Sequence, residues 1–281
     1  MNREKLIVVS VIVPLYKGEK YIESICTQCK KNALALKEDQ GIELIFVCDF
    51  PEEIDLYREK ISIFADNQEW KLLTHDHNMG IHYSRIQGLE AARGKYILFL
   101  DQDDHISDNC LADQLAHICD AAMVVGNGIY EQGDGSQFFY RWKILHETVK
   151  WKWCYLTIGN RITSPGQCLI RKDAIPTIWK ETVMKVNGAD DLFLWLILLE
   201  QKAKIVLNRN AVYIHRYTGE NVSLEDSAMN ESVLEFIGIA RENGCIRNSI
   251  LNALEKRVTT YSDSGIISMV VRLGKLVNRR K

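Results

Sequence analysis

Apolar residues in the first part of the chain fall into short, nearly continuous runs separated by stretches with helical spacing. Residues 6–14, 42–48, 70–75 and 96–100 are such runs, and they read as buried strands because polar positions do not alternate within them. Between them, residues 21–36, 51–65 and 81–92 place apolar side chains three and four positions apart, as helices do. The β-α-β order predicts an open α/β sheet, mostly parallel and flanked by helices. Such sheets bind ligands at the carboxyl ends of their strands.

Past residue 104 the pattern is mixed. Residues 123–126 predict a further strand, and the aromatic stretch 137–143 predicts part of a β-hairpin. Ser164-Pro165-Gly166 is a turn signal, residues 190–200 a helix, and residues 204–207 and 211–215 two short strands. From residue 227 onward only helical patterns remain, which predicts two parts: residues 1–226 and a helical region, 227–281.

The composition changes this picture little: 47% hydrophobic and 26% charged residues are ordinary for a globular chain of 281 residues. A formal net charge of −2 gives no general attraction to nucleic acid, so an anionic ligand needs a local site. The eight cysteines are scattered. Cys26 and Cys29 have redox or zinc spacing, but no second pair complements them, and their helical face is shared with Ile22, Ile25, Ala33 and Leu36. They read as core residues in a reducing, cytoplasmic setting. Arg3 and Lys5 before an apolar run resemble a signal peptide, yet no small-residue cleavage site follows. Pro14 and the charges at 17–20 end that run well short of the roughly 20 residues a membrane span needs.

Candidate chemistry begins at Asp101-Gln102-Asp103-Asp104, directly after the strand at 96–100. Three carboxylates at a strand mouth repel one another unless a cation neutralises them, and Asp oxygens suit Mg²⁺ or Mn²⁺. A solvated acidic loop capping the next helix is the alternative.

The run Asn78-Met79-Gly80, Arg85, Gly88-Leu89 and Ala92-Arg93-Gly94-Lys95-Tyr96-Ile97-Leu98-Phe99-Leu100-Asp101-Gln102-Asp103-Asp104 closely resembles family 2 glycosyltransferases. The opening Val11-Ile12-Val13-Pro14-Leu15-Tyr16 is similar to that family's first strand and turn, with Lys17 in place of its Asn. The resemblance spans residues 8 to 223 and implies a GT-A fold with a C-terminal helical appendage. It implies transfer of a sugar from a nucleoside-diphosphate donor, with UDP as the nucleotide, to a hydroxyl of a glycan or lipid-linked glycan. By position, Pro14 and Tyr16 would line the nucleobase pocket and Asp49 would contact base or ribose. Arg85 would meet the diphosphate, Asp101 the donor sugar or ribose, and Asp103 the Mn²⁺ or Mg²⁺ ion. Phe50-Pro51 stand where the family has Gly-Ser, and Ile86 where it has Asn.

Ala189-Asp190-Asp191-Leu192-Phe193-Leu194-Trp195 resembles the family's G-x-E-D-x-x-L-W motif, which implies Asp191 as general base and Asp190 beside it. Paired acids also open helices simply because the dipole favours them. The segment from His215 and Arg216 to Ser223 resembles one that folds over the donor, making His215 a second metal or diphosphate ligand and Arg216 a phosphate contact. Trp151–Tyr155 and Ser164–Gln167 occupy the family's acceptor region, or are core. Residues 266–281 pair an apolar face with a basic end, as a membrane-surface helix or a packing helix would. The first of these would hold the protein at the inner face of the membrane. Two rival readings fit the sequence less well. A nucleotidyltransferase needs a Gly-rich phosphate loop where this chain has Tyr16-Lys17-Gly18-Glu19-Lys20. A non-catalytic sugar-nucleotide-binding protein would not need both acidic motifs.

Overall fold

The computed structural model describes residues 5–65, 69–132, 135–216 and 226–263. In chain order the elements are β1 (Leu6–Leu15), α1 (Ile22–Leu34), β2 (Gln40–Cys48), α2 (Ile54–Phe64), β3 (Glu69–Thr74), α3 (Ile81–Ala91) and β4 (Tyr96–Phe99). There follow β5 (His105–Ile106), α4 (Cys110–Ile118), β6 (Met123–Gln132), β7 (Gly135–Phe138), α5 (Lys143–Glu147) and α6 (Lys152–Thr157). The chain continues with β8 (Cys168–Arg171), α7 (Thr177–Glu181), α8 (Asp190–Glu200), β9 (Ile205–Arg216), α9 (Asp226–Glu242) and α10 (Asn248–Asp263).

All sheet strands join in the order β3-β2-β1-β4-β8-β6-β9-β5, with β7 hydrogen-bonded to β6 as a hairpin. The β3-β2-β1-β4 half is parallel; β8 enters antiparallel between β4 and β6, and β6 and β9 are parallel again. The chain leaves β1 toward β2 on one side and reaches β4 on the other. The carboxyl ends of β1 and β4 therefore border the crevice where ligands bind in such sheets.

The sheet is covered on both faces, which is why its central strands lack polar alternation. Ile12, Ile45, Val47 and Phe99 face one cluster, shared with Leu89 of α3, Trp179 of α7, Trp195 of α8 and Phe236 of α9. Val11, Val13, Leu44 and Phe46 face the other, with Ile25 of α1, Tyr57 of α2 and Leu111 of α4. Burying each large side chain contributes about 1.5–3 kcal/mol.

The stretch read as two short strands is one strand, β9. Its pairing with β6 slips around Gly126 to Gly128, where Asn208 pairs with Gly126 and Ala211 with Asn127. The polar break between the two apolar runs is thus a bulge, held as Asn208 donates to Asp113 (2.8 Å) and Gln114 (3.2 Å).

The division placed at residue 226 falls where α9 begins. Helices α9 and α10 bury Val233, Phe236, Ile237, Leu251 and Leu254 in the same cluster as α8. Among the described residues no helix is long and apolar enough to cross a membrane. The stretches 217–223 and 266–281, read as a donor-covering segment and a basic helix, lie outside the described residues.

Candidate active site

Strand β4 delivers Asp101 to the crevice, and its register is fixed by a buried turn. Gly94 sits so close to β1 that a Cβ there would meet the Ser10 nitrogen at 2.6 Å, so only glycine allows the turn to close. Gln102 pins the facing turn of β1: its Oε1 accepts from the Tyr16 N–H (3.0 Å), while its Nε2 donates to the Tyr16 carbonyl (3.1 Å). Pro14 lies inside β1 opposite Val47. The Tyr16 ring is 44% exposed, edge-on to Phe50 at 5.5 Å, with the Lys17 ammonium over both rings. An aromatic shelf therefore stands open at the end of β1.

Asp49, at the end of β2, is buried and turned inward. Its carboxylate accepts from the backbone N–H groups of Met79 (2.6 Å) and Gly80 (2.9 Å), with His75 Nε2 at 3.8 Å. Gly80 has φ of 88°, in the left-handed region that glycine enters without strain. Asp49 thus holds the loop that leads into α3.

Helix α3 carries Arg85, whose side chain is only 4% exposed. Its Nη1 donates to Asp190 (2.6 Å) and its Nη2 to Asp101, so one guanidinium ties the mouth of β4 to the start of α8. Asp190 is buried. Burial alone would raise its pKa, but Arg85 and His82 hold it below the usual carboxylate range. The Asp190 carbonyl accepts from the Trp179 indole N–H at 2.8 Å, fixing the first turn of α8.

Asp191 faces the opening beside them, half-buried. Its Oδ1 accepts from its neighbour's N–H, Leu192 (2.5 Å), and its Oδ2 from the Asn160 amide (2.9 Å). Apolar Phe99, Pro165, Trp179, Leu194 and Trp195 line the same small recess. Burial, reinforced by the charge of Asp190, pushes Asp191 up to about 7. Two adjacent carboxyls are therefore driven apart: one stays ionised, and the other exchanges its proton near neutral pH.

The remaining acids face β9. Asp104 accepts from the Ser164 hydroxyl at 2.8 Å, and its other oxygen lies 3.4 Å from His215 Nδ1. Burial, opposed by Arg85 and reinforced by Asp104 and Asp103, raises Asp101 to about 6. Asp103 is also raised, by burial and then by Asp104. The bond to Asp104 raises His215 in turn. Like charges are crowded here, opposed by Arg85 at Asp101 and by His215 and Lys20 at Asp103. Among the described residues no group of three His, Cys, Asp or Glu is arranged to hold a metal. Arg216 is the last residue of β9, and its side chain lies outside the description.

The structure thus brings Arg85, Asp101, Asp190 and Asp191 into one connected group, with Asp103 and His215 on its β9 side and Pro14 and Tyr16 across the crevice. Asp49 is set into the wall. Gln102 and Asn160 were not foreseen, because a polar residue in a loop carries no periodic signal. The Trp151 and Trp153 rings stack on each other at 6.0 Å, with Trp153 exposed, while Tyr155 is buried.

The sequence model of glycosyl transferase family 2 matches residues 10–179. Among curated proteins, glycosyltransferase GlyG of Streptococcus pneumoniae is 29% identical over 47% of this chain and 43% of its own length. An Escherichia coli protein, UDP-Glc:alpha-D-GlcNAc-diphosphoundecaprenol beta-1,3-glucosyltransferase WfgD, is 28% identical over 71% of this chain and 73% of its own. The chain spans about half the length, or less, of the first curated relatives it matches (43%, 58% and 34%). Two solved structures share the GT-A fold. Staphylococcus aureus TarS (residues 1–349, with UDP-GlcNAc) aligns with a TM-score of 0.64 at 20% identity, covering 92% of this chain and 74% of that one. The Pyrobaculum calidifontis mannosyltransferase PcManGT, with GDP-Man and Mn²⁺, aligns with a TM-score of 0.64 at 13% identity, covering 97% and 81%. With the family match extending from β1 through α7, this chain belongs to glycosyl transferase family 2.

Proposed function

We propose that this protein is an inverting glycosyltransferase that moves a sugar from a UDP-sugar to a hydroxyl of a surface glycan or lipid-linked glycan. The observation that carries the reading is the junction made by Arg85. It joins the acidic mouth of β4 to the acid pair of α8 and leaves Asp191 facing the opening, with an acidity near neutral. A base with that acidity is half ionised at working pH and can take the acceptor's proton as its oxygen attacks the anomeric carbon.

The donor lies along the carboxyl ends of β1 and β4 in this reading. Its base rests on the shelf of Pro14 and Tyr16, in a pocket whose wall Asp49 shapes through residues 79 and 80. Arg85 and Asp101 flank the diphosphate, with Arg216 as a further phosphate contact. The crowded carboxylates fit a hard cation, since burial and their mutual repulsion raise both Asp101 and Asp103. Mg²⁺ is commonly held by one or two protein carboxylates and completed by substrate phosphates, which suits a site without three gathered ligands. Asp103 is the carboxylate we assign to it, with His215 as second ligand. Bound there, Mn²⁺ or Mg²⁺ would neutralise charge on the departing nucleoside diphosphate. Relatives named for UDP-sugar chemistry and for a diphosphoundecaprenol acceptor support the substrate class.

A panel of nucleotide sugars, assayed for transfer with Mn²⁺ and with chelator, tests the reading. Metal-dependent turnover of a UDP-sugar is expected. Asp191→Asn should lower it by about 10²–10⁴-fold, the usual contribution of a general base, with UDP affinity unchanged. Near-normal turnover in that variant would move the base elsewhere.

A further inference from the structure

Asn160 lies in the loop after α6 and belongs to no motif, yet it makes the one side-chain hydrogen bond that Asp191 receives among the described residues. We propose that Asn160 is a positioning residue, whose amide aims the Asp191 carboxylate at the acceptor hydroxyl and ties that carboxylate to the acceptor-side loop. The inference rests on Asp191 being the base.

The loop is built to hold Asn160 still. Gly159 has φ of 119°, which lets the chain reverse sharply, and the N–H groups of Ile158 and Gly159 both donate to the Cys154 carbonyl at the end of α6 (2.8 and 3.2 Å). On the other side, the Asn160 carbonyl oxygen Oδ1 accepts from the Ile162 N–H at 3.1 Å. That bond fixes which end of the amide faces Asp191: the Nδ2 end donates to Oδ2 at 2.9 Å. Arg161 Nε donates to Thr148 Oγ1 (3.0 Å), and Ile162 is buried, so the loop is anchored just past the contact. Gln167 Oε1 then accepts from the Thr163 and Ser164 N–H groups (2.7 and 3.2 Å).

The two oxygens of Asp191 are thereby given different tasks. Oδ1 is held by its own helix through Leu192, and Oδ2 by the loop through Asn160. An amide donor stabilises the carboxylate more than the acid, so Asn160 works against burial in the recess and the like charge of Asp190, in the same direction as Arg85 of α3 and the Leu192 N–H. Tyr155 of α6 and Cys168 of β8 also face the carboxylate, but burial raises both thiol and phenol and keeps them neutral. Asn160 comes from the loop between the two segments that the family resemblance assigns to the acceptor, so its bond to Asp191 links the proposed base to that region.

The test follows the Asp191 carboxyl directly, by ¹³C NMR of the full chain labelled at aspartate carboxyls, with Asp191→Asn identifying the resonance. Asn160→Ala removes the donor. Asn160→Asp keeps an oxygen for the Ile162 N–H, so the loop bond survives, but it replaces the donor with a like charge. The midpoint is expected to rise in Asn160→Ala by about half a unit to one unit, the scale of one charged hydrogen bond in a half-open setting, and further in Asn160→Asp. A midpoint unmoved in Asn160→Asp overturns the proposal, and so does an equal shift at aspartates remote from the loop. The result is separable from the transfer reading. If Asp191→Asn keeps turning over while the midpoint still moves in the Asn160 variants, the contact stands and the base has been misassigned.

Discussion

Asp190 and Asp191 are neighbours in sequence with opposite electrostatic fates. Asp190 points into the protein against Arg85 and gains more from that partner than burial takes away. Asp191 points at the crevice with no cation of its own, so burial and its neighbour dominate. This has a consequence for stability as well as for catalysis. A carboxyl whose folded-state value is raised to about 7 prefers its proton in the native state, so it costs progressively more stability as pH rises from about 4 through about 7. Asp191→Asn should therefore melt higher than the parent at pH 8, and the difference should shrink toward zero below about pH 3, where the parent is protonated in both states. Thermal unfolding of the two proteins across that range measures it. An equal difference at both ends would mean that Asp191 carries no strained charge. Stability given up at a functional group is a familiar trade.

At the scale of elements, the placement of Asp101 depends on a residue in another strand. Glu43 of β2 is fully buried beneath the turn before β4 and accepts from Ser10 Oγ (2.6 Å), the Arg93 backbone and side chain, and the Gly94 N–H (3.3 Å). Lys71 of β3 completes an ion pair at 3.1 Å. Burial would raise this carboxyl, but Ser10, Arg93 and Lys71 together bring it down to about 2. Glu43→Ala strips the partner from several inward-facing donors and should cost about 3–5 kcal/mol in denaturant unfolding, as broken buried pairs do. Because the value is depressed, the contribution is present above about pH 4.5 and is lost as pH falls toward about 2. Such a network is invisible in sequence, where Glu43 only interrupts an apolar run. The strands and helices around it were legible because continuous apolar runs between helical spacings allow few other folds. Helix α4 and strand β8 were not. The first sets the polar Gln114 into its buried face between Leu111 and Ile118, and the second offers only Cys168–Arg171 with no turn signal beyond the one before it. The motifs marked the acids, but not the contacts that sort Asp190 from Asp191. Those come from Arg85 on α3, Asn160 in the loop after α6, and Trp179 on α7, none of them in the acidic motif itself.

For the whole molecule, the C-terminal helices close the structure around the acid pair. Phe236 of α9 stacks on Phe193 of α8 at 5.4 Å, and Glu235 accepts from the N–H groups of Lys185 and Val186 (2.7 and 2.8 Å). Ser232, fully buried, accepts from the Ala189 N–H (3.0 Å) and donates to the Val186 carbonyl (2.8 Å). The loop that leads into Asp190 and Asp191 is thus gripped from behind by a helix outside the region matched by the family model. Ser232→Ala leaves a buried N–H and a buried carbonyl without this partner, so it should cost about 1–3 kcal/mol of stability. Its effect on transfer should be selective. The acid pair loosens, so turnover should fall more than UDP affinity, which this loop reaches only indirectly, through Asp190 to Arg85 and through Asn187 to the Ile81 N–H. Calorimetric UDP titration beside initial transfer rates separates the two. A parallel loss of both would show that α9 supports the whole crevice, and unchanged turnover in a destabilised protein would confine Ser232 to the fold.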